Sequence, residues 1–269
     1  MVDSWDNEAR EAAAAARVVI DGIVSGADRE SVASLMNEIW GPDVVLPLNM
    51  LRAMQFAGDG VLLARRNKIP VGFSVGVMGW ADGLHFHSHQ VGVVESERST
   101  GVGFALKMAQ RAACLVNGVT EMRWTFDPLL YSNAVFNLNR IGARMSEFLP
   151  NVYGARNDQF NLGDVTDRVK VRWNLDSDVG ALSVMASSDA PRLIDVTETV
   201  IRSSQEVVVG SVLPIPPDYH ALRALNKDLA SMWRAAMSSA LHDVFESGHS
   251  IAGVGDQGYV VGVRSGTVR

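Results

Sequence analysis

The apolar positions of the chain switch between two periods, and the switches mark its elements. Val32, Leu35, Met36 and Ile39 recur three and four residues apart. That spacing predicts a helix, which Asp28 caps and Gly41-Pro42 ends. Ahead of it, residues 5–16 are rich in Ala, Glu and Arg and predict a helix by propensity. Residues 18–23 read as a short strand and 48–56 as a further helix. The pattern then becomes that of strands. Residues 60–64, a polar turn at 65–68, then 70–78 and 84–94 form a meander of three antiparallel strands. A strong helix follows over 101–117, with Phe104, Met108, Ala112 and Leu115 on one side. Residues 120–126 read as a strand, 133–140 as a short helix closed by Gly142, and 145–152 and 169–175 as two more strands.

The order over residues 18–175 is therefore β-α-α-β-β-β-α-β-α-β-β. It predicts an α/β (α+β) fold, a mixed sheet with helices packed on it. From Asp176 the texture changes. Residues 183–191 are small and polar, as in a linker. Residues 192–197 and 206–213 are candidate strands, and Pro214, Pro216 and Pro217 enforce an extended stretch. Residues 222–246 predict one long amphipathic helix and 259–264 a final strand. The expected organisation is an N-terminal helical segment (1–17), a central domain (18–175) and an extension (176–269). That extension packs on the central domain or on a partner subunit, and a homodimer is one of the alternatives.

Composition narrows the function classes. At 269 residues, 47% hydrophobic and 20% charged, the chain can build a sizeable core. Its net charge of −6 and the absence of a long basic run argue against a nucleic-acid partner. No segment supplies the roughly 18 uninterrupted apolar residues of a membrane span, and the first residues lack a signal-peptide pattern. The single cysteine, Cys114, fits a reducing, cytoplasmic setting and a buried hydrophobic position.

Candidate chemistry concentrates between residues 85 and 103. His85, His87 and His89 alternate, which places them on one face of a strand. Three readings stay open: a base that takes a proton from an attacking group, an H-x-H metal pair, or partly buried histidines bonded to backbone. No carboxylate or fourth ligand stands at a spacing that completes the metal reading. Immediately after that strand comes Arg98-Ser99-Thr100-Gly101-Val102-Gly103, at the start of the long helix. First-turn N–H groups and the helix dipole favour an anion there, and the glycines permit close approach. The same residues also fit a glycine-eased strand-to-helix turn.

The segment R-x-x-G-x-G after an apolar strand, in this element order, resembles the GNAT superfamily of acyl-CoA-dependent N-acyltransferases. The resemblance covers about residues 18–175. A second signature of that family, N-x-x-A-x-x-x-Y-x-x-x-G, is partly kept over 131–142. Ala134 and Gly142 match, Tyr131 stands in the asparagine slot with Asn133 nearby, and Leu138 replaces the tyrosine. The resemblance implies a GNAT-type mixed sheet and acetyl-CoA or another acyl-CoA as co-substrate, with no metal. It implies a CoA site formed by Val93, Val94, Arg98, Ser99, Thr100, Gly101, Val102, Gly103, Phe104, Asn133 and Phe136. The strand bearing Val93 would splay from its neighbour, and the Val93 N–H would polarise the thioester carbonyl.

The base would be His87 or His89, then Glu95. With leucine at 138, Tyr131, Ser132 or solvent would protonate the leaving thiolate. Trp40, Arg123 and Asp127 would border the acceptor; Arg140 and Arg144 are either a carboxylate clamp or surface charges. The runs 124–129 and 133–138 resemble a little-characterised bacterial subgroup with a similar extension across 216–264, some of whose members are suspected of N-acylating amino acids. The expected activity is transfer of a short acyl group to a small-molecule amine. The alternatives are a non-catalytic CoA-binding sensor and a metal-dependent hydrolase using the histidines.

Overall fold

The computed structural model describes residues 2–58, 60–154, 156, 163–177, 179, 184–197 and 199–263. Within them the chain forms two compact units. The first holds the residues through Trp124 together with Asn174–Ser177, and the second holds the rest from Thr125 on. The division falls between Trp124 and Thr125.

The first unit runs α1 (Val2–Ala15), β1 (Val19–Gly22), α2 (Gly26–Trp40), α3 (Leu48–Gly58), β2 (Val61–Arg66), β3 (Ile69–Gly79), β4 (His85–Val93), α4 (Val102–Val116) and β5 (Glu121–Phe126), the last two residues of β5 lying in the second unit. Its strands lie in the order β1-β2-β3-β4-β5. The first three pairings are antiparallel and β4–β5 is parallel, so the sheet is mixed, as the element order predicts. The N-cap of α2 is Ser25 rather than Asp28. Ser25 Oγ accepts from the Asp28 N–H at 3.1 Å, and the Asp28 carboxylate accepts from the Ser25 N–H at 2.9 Å. This reciprocal capping box satisfies two backbone donors that a helix start leaves open.

Helices cover both faces of these strands. On one face, Val61, Leu63, Phe73 and Val75 pack with Val32, Leu35, Met36 and Ile39 of α2 and with Leu51 and Met54 of α3. On the other, Leu62, Ala64 and Val71 pack with Val102, Ala105 and Leu106 of α4 and with Ala12, Ala13 and Ala16 at the end of α1. Strict alternation would put Val71 on the same face as Phe73. The register shift between Ala64 and Arg65 leaves Val71 as the extra residue of a bulge, which turns it to the α4 side.

In the second unit, β5 is followed by α5 (Tyr131–Ala134), which continues as a π-helical turn over Val135–Arg140. Strands β6 (Arg144–Leu149) and β7 (Arg168–Asn174) then pair antiparallel. The order expected over 18–175 is thus observed. Beyond it come β8 (Ile194–Val196), β9 (Val200–Arg202), β10 (Val212–Leu213), α6 (Tyr219–Leu225), α7 (Lys227–Glu246), β11 (His249–Gly255) and β12 (Gly258–Val263). The candidate strand 206–213 shortens to β10. The single helix expected over 222–246 is broken at Asn226, whose extended backbone (φ −148°) and side chain cap α7. Strand β11 is absent from the sequence reading. Parts of the expected linker, from residue 183, and of the last expected strand, at residue 264, lie outside the described residues.

Inside this unit the extension packs on β6 and on the π-helical turn. The Asn139 amide accepts from the Val254 N–H at 3.0 Å and donates to the Val254 carbonyl at 2.7 Å.

Candidate functional site

Strand β4 carries the site, and its two edges behave differently. Toward β3 it pairs from His85 to Val93. Toward β5 the paired residues are Phe86 with Met122 and His87 with Arg123. The Val94 N–H donates to the Val71 carbonyl at 3.0 Å. Antiparallel pairing alternates which residues bond inward. Gly92 therefore bonds toward β3, and Val91 and Val93 turn their backbone N–H and C=O toward the opposite edge, past the end of the β5 pairing. A splayed strand with outward backbone groups at Val91 and Val93 is thus a feature of the first unit.

A bulge on β4 decides which side chains face where. Val75 lies opposite Gln90 and Gly76 opposite Ser88, so His89 is the extra residue. Before the bulge, Ser88 points to α4, where it meets Lys107 and Gln110. After it, Gln90 donates to the Val44 carbonyl at 3.4 Å and Gly92 lies under Ile39 and Trp40. Residues of equal parity thus point to opposite faces.

His85 is buried, with Nδ1 2.8 Å from the Gly83 carbonyl. His87 is half-buried and His89 exposed, with ring centroids 6.4 Å apart at 33°. His87 and His89 lie side by side on the strand, and the bulge re-aims the residues that follow them, from Gln90 on. Among the described residues, no group of three or more His, Cys, Asp or Glu side chains is arranged to hold a metal ion.

The phosphate-type turn follows directly. Gly101 is the N-cap of α4 at φ +96°, a left-handed conformation that glycine adopts without strain, and no side chain caps the helix there. By contrast α2, α6 and α7 are capped by Ser25, Asp218 and Asn226. The first bond of α4 is Ala105 N–H to the Gly101 carbonyl. The first turn of α4, including the N–H groups of Val102 and Gly103, has no acidic residue. A Cβ on Gly103 would meet nothing nearer than Val93 Cγ2 at 3.9 Å, so the approach to this turn is open. The turn itself is fixed. The Arg66 guanidinium binds Glu97 with two hydrogen bonds of 2.8 and 2.9 Å, and the Thr100 hydroxyl donates to the Glu97 carbonyl at 2.7 Å. Arg98, Ser99 and Thr100 are exposed, and Val93, Val94 and Phe104 half-buried.

The remaining candidates are distributed as follows. Trp40 lies edge-on to Phe73, ring centroids 5.7 Å apart, and touches the position of Gly92. It is therefore on the face that also bears Gln90. Glu95 is exposed in the turn after β4. Arg123, expected near an acceptor, is 3% exposed. It pairs with Glu121 and donates to the carbonyls of Ala81 and Asp82 at 2.8 and 2.9 Å, pinning the β3–β4 turn. Asp127, also expected at the acceptor, belongs to the second unit and is gripped there by Arg234 at 2.7 and 2.8 Å. Both residues thus hold structure in the places where acceptor contacts were expected. Tyr131, Ser132 and Asn133 are exposed and Phe136 half-buried in the second unit. Leu138 is 1% exposed, a core residue. Burial pushes the Cys114 thiol up to about 12, which keeps it protonated and inert.

Sequence reading passed over Lys107. It lies in the helical pattern of α4 but is 3% exposed, inside the unit rather than on its surface. A lysine at an inward position of an amphipathic helix is the signal that marks it.

No family model matches the chain, and no curated protein matches it. Solved structures do. A putative acetyltransferase, yncA, from Salmonella typhimurium, solved with its cofactor acetyl-CoA, is 16% identical, with 62% of this chain and 99% of that one covered at a TM-score of 0.49. The ribosomal-protein-S18-alanine N-acetyltransferase from Escherichia coli is 11% identical, covering 64% and 97%, at 0.47. A GNAT family acetyltransferase from Elizabethkingia anophelis with acetyl-CoA bound is 14% identical, covering 59% and 98%, at 0.44. These three solved proteins carry the name acetyltransferase, and the likeness to them spans roughly three-fifths of this chain.

Proposed function

We propose that this protein is an acyl-CoA-dependent N-acyltransferase of the GNAT type, transferring a short acyl group to a small-molecule amine. The observation that carries the reading is the divergence of β4 from β5 after His87, with Val91 and Val93 turned toward the open edge. An extended pantetheine arm would pair there as an added strand does. The uncapped, acid-free start of α4 would hold the pyrophosphate, with Arg98 at hand.

In this reading the amine nitrogen attacks the thioester carbonyl carbon. The Val93 N–H donates to the oxygen as it gains negative charge. His87 or His89 takes the proton from the attacking nitrogen, and histidine is suited to that task near neutral pH. The C–S bond then breaks and CoA leaves as a thiolate, a fair leaving group even without a dedicated acid. Trp40 and Gln90, on the α2 face, would border the amine.

Thermal unfolding with CoA tests the donor site. A ligand at a hundred times its dissociation constant stabilises by about 2.7 kcal/mol. No shift with CoA or any acyl-CoA overturns the proposal. Release of free thiol from acyl-CoA with a panel of small amines and peptides tests turnover and acceptor class. Binding without release would favour a CoA sensor, the reading that Leu138 in the tyrosine slot favours. If His87→Ala and His89→Ala both kept full turnover between pH 6 and 9, the base assignment would be wrong.

A further inference from the structure

Lys107 of α4 lies where β4 and β5 part. Its Nζ donates to Ser88 Oγ at 2.8 Å, lies 3.7 Å from Met122 Sδ and sits 3.7 Å from the centroid of the Trp124 ring. Ser88 Oγ in turn donates to Gln110 Oε1 at 2.9 Å. The positions of these partners in the strands give the contact its meaning. Ser88 is the residue after His87, the last of β4 to pair with β5. Trp124 is the residue after Arg123, the last of β5 to pair with β4. One amine therefore touches the first diverging residue of each strand.

The surroundings make this an unusual place for a lysine. Lys107, Ser88 and Gln110 are each under 5% exposed. Burial brings the amine down to about 7, and the neighbouring Cys114 acts against that fall. A buried amine is costly to keep unless a polar partner and position are both used. Here it joins helix to strand one residue before the bulge at His89, and that bulge sets which backbone groups of β4 face outward.

We propose that Lys107 is a positioning residue that holds the β4–β5 fork, and so sets the alignment of the outward backbone groups of Val91 and Val93 for the pantetheine arm. The inference rests on the acyl-CoA reading, but it concerns only the arm and not the pyrophosphate turn. That distinction supplies the test. Lys107→Met keeps the length and apolar stem of the side chain and removes the amine.

Binding of CoA and of 3′-phospho-ADP, which lacks pantetheine, would be measured by calorimetry on wild type and variant, with kcat from thiol release. The expected result is about tenfold weaker CoA binding and about tenfold lower kcat in the variant, with 3′-phospho-ADP bound as in wild type. Ser88→Ala should move both in the same direction. Equal CoA binding and equal kcat in wild type and Lys107→Met would overturn the proposal. So would parallel losses for CoA and 3′-phospho-ADP, the mark of general damage to the fold. If wild type bound neither ligand, the acyl-CoA reading itself would fall.

Discussion

Replacing Lys107 by methionine should make the protein more stable at neutral and acidic pH, by a margin that shrinks as pH rises. Lysine's ordinary value of 10.5 falls to about 7 in the folded chain because burial penalises the ammonium form. The unfolded chain therefore binds more protons than the folded one between those two values, and stability rises with pH across that window. The residue's contribution is fully recovered above the unfolded value and lost as pH falls to the folded one. At pH 6 the cost is roughly 4–5 kcal/mol, and at pH 9 roughly 2. Methionine removes that cost and also removes the bond to Ser88, worth about 1 kcal/mol. The net gain is thus about 3–4 kcal/mol at pH 6 and about 1 at pH 9. Urea unfolding of both chains at pH 6, 7, 8 and 9 measures it. A difference that stayed constant with pH, or a variant less stable than wild type at pH 6, would refute the reasoning. A variant that is more stable yet binds CoA more weakly would show that the buried amine serves function at the expense of stability.

Further predictions concern packing and the second unit. Gly92→Ala would place a Cβ 2.7 Å from Phe73, 2.9 Å from Ile39 and 3.0 Å from Trp40; it should cost about 1–3 kcal/mol, read as a lower thermal midpoint. Arg234 binds both Asp127 and Asp164, with the Tyr219 hydroxyl donating to Asp164 at 3.0 Å. Arg234→Met leaves two largely buried carboxylates without it and should cost about 3–5 kcal/mol in urea unfolding at pH 7. Burial works against ionising Asp164, but Arg234 and Tyr219 hold its carboxyl below the ordinary value of 3.8. The stability that Asp164 contributes is present above that value and lost as pH falls through the folded one. The gap between wild type and Arg234→Met should therefore narrow as pH drops below about 4.

Local chemistry determined much of this protein. The helical spacing of Val32, Leu35, Met36 and Ile39, the meander over β2 to β4 and the glycine turn before α4 are each short-range patterns. They gave the element order of the first 175 residues and placed a candidate anion site at Gly101 and Gly103. What escaped the sequence depends on partners distant along the chain. A bulge is one residue out of register with a neighbouring strand, so nothing in the His85–His87–His89 alternation announced that Gln90 after it would turn to the face opposite Ser88. Arg123 and Asp127 looked available until the turn at Ala81-Asp82 and the helix bearing Arg234 were brought to them. Asn226 could cap α7 only where α6 had ended, which helical periodicity alone did not reveal.

The sequence by itself determined which residues could bind an anion or take a proton. Only the tertiary structure decided that β4 parts from β5 after His87 and that Lys107 lies buried at the parting, because strand pairing and burial are set by elements far apart in the chain.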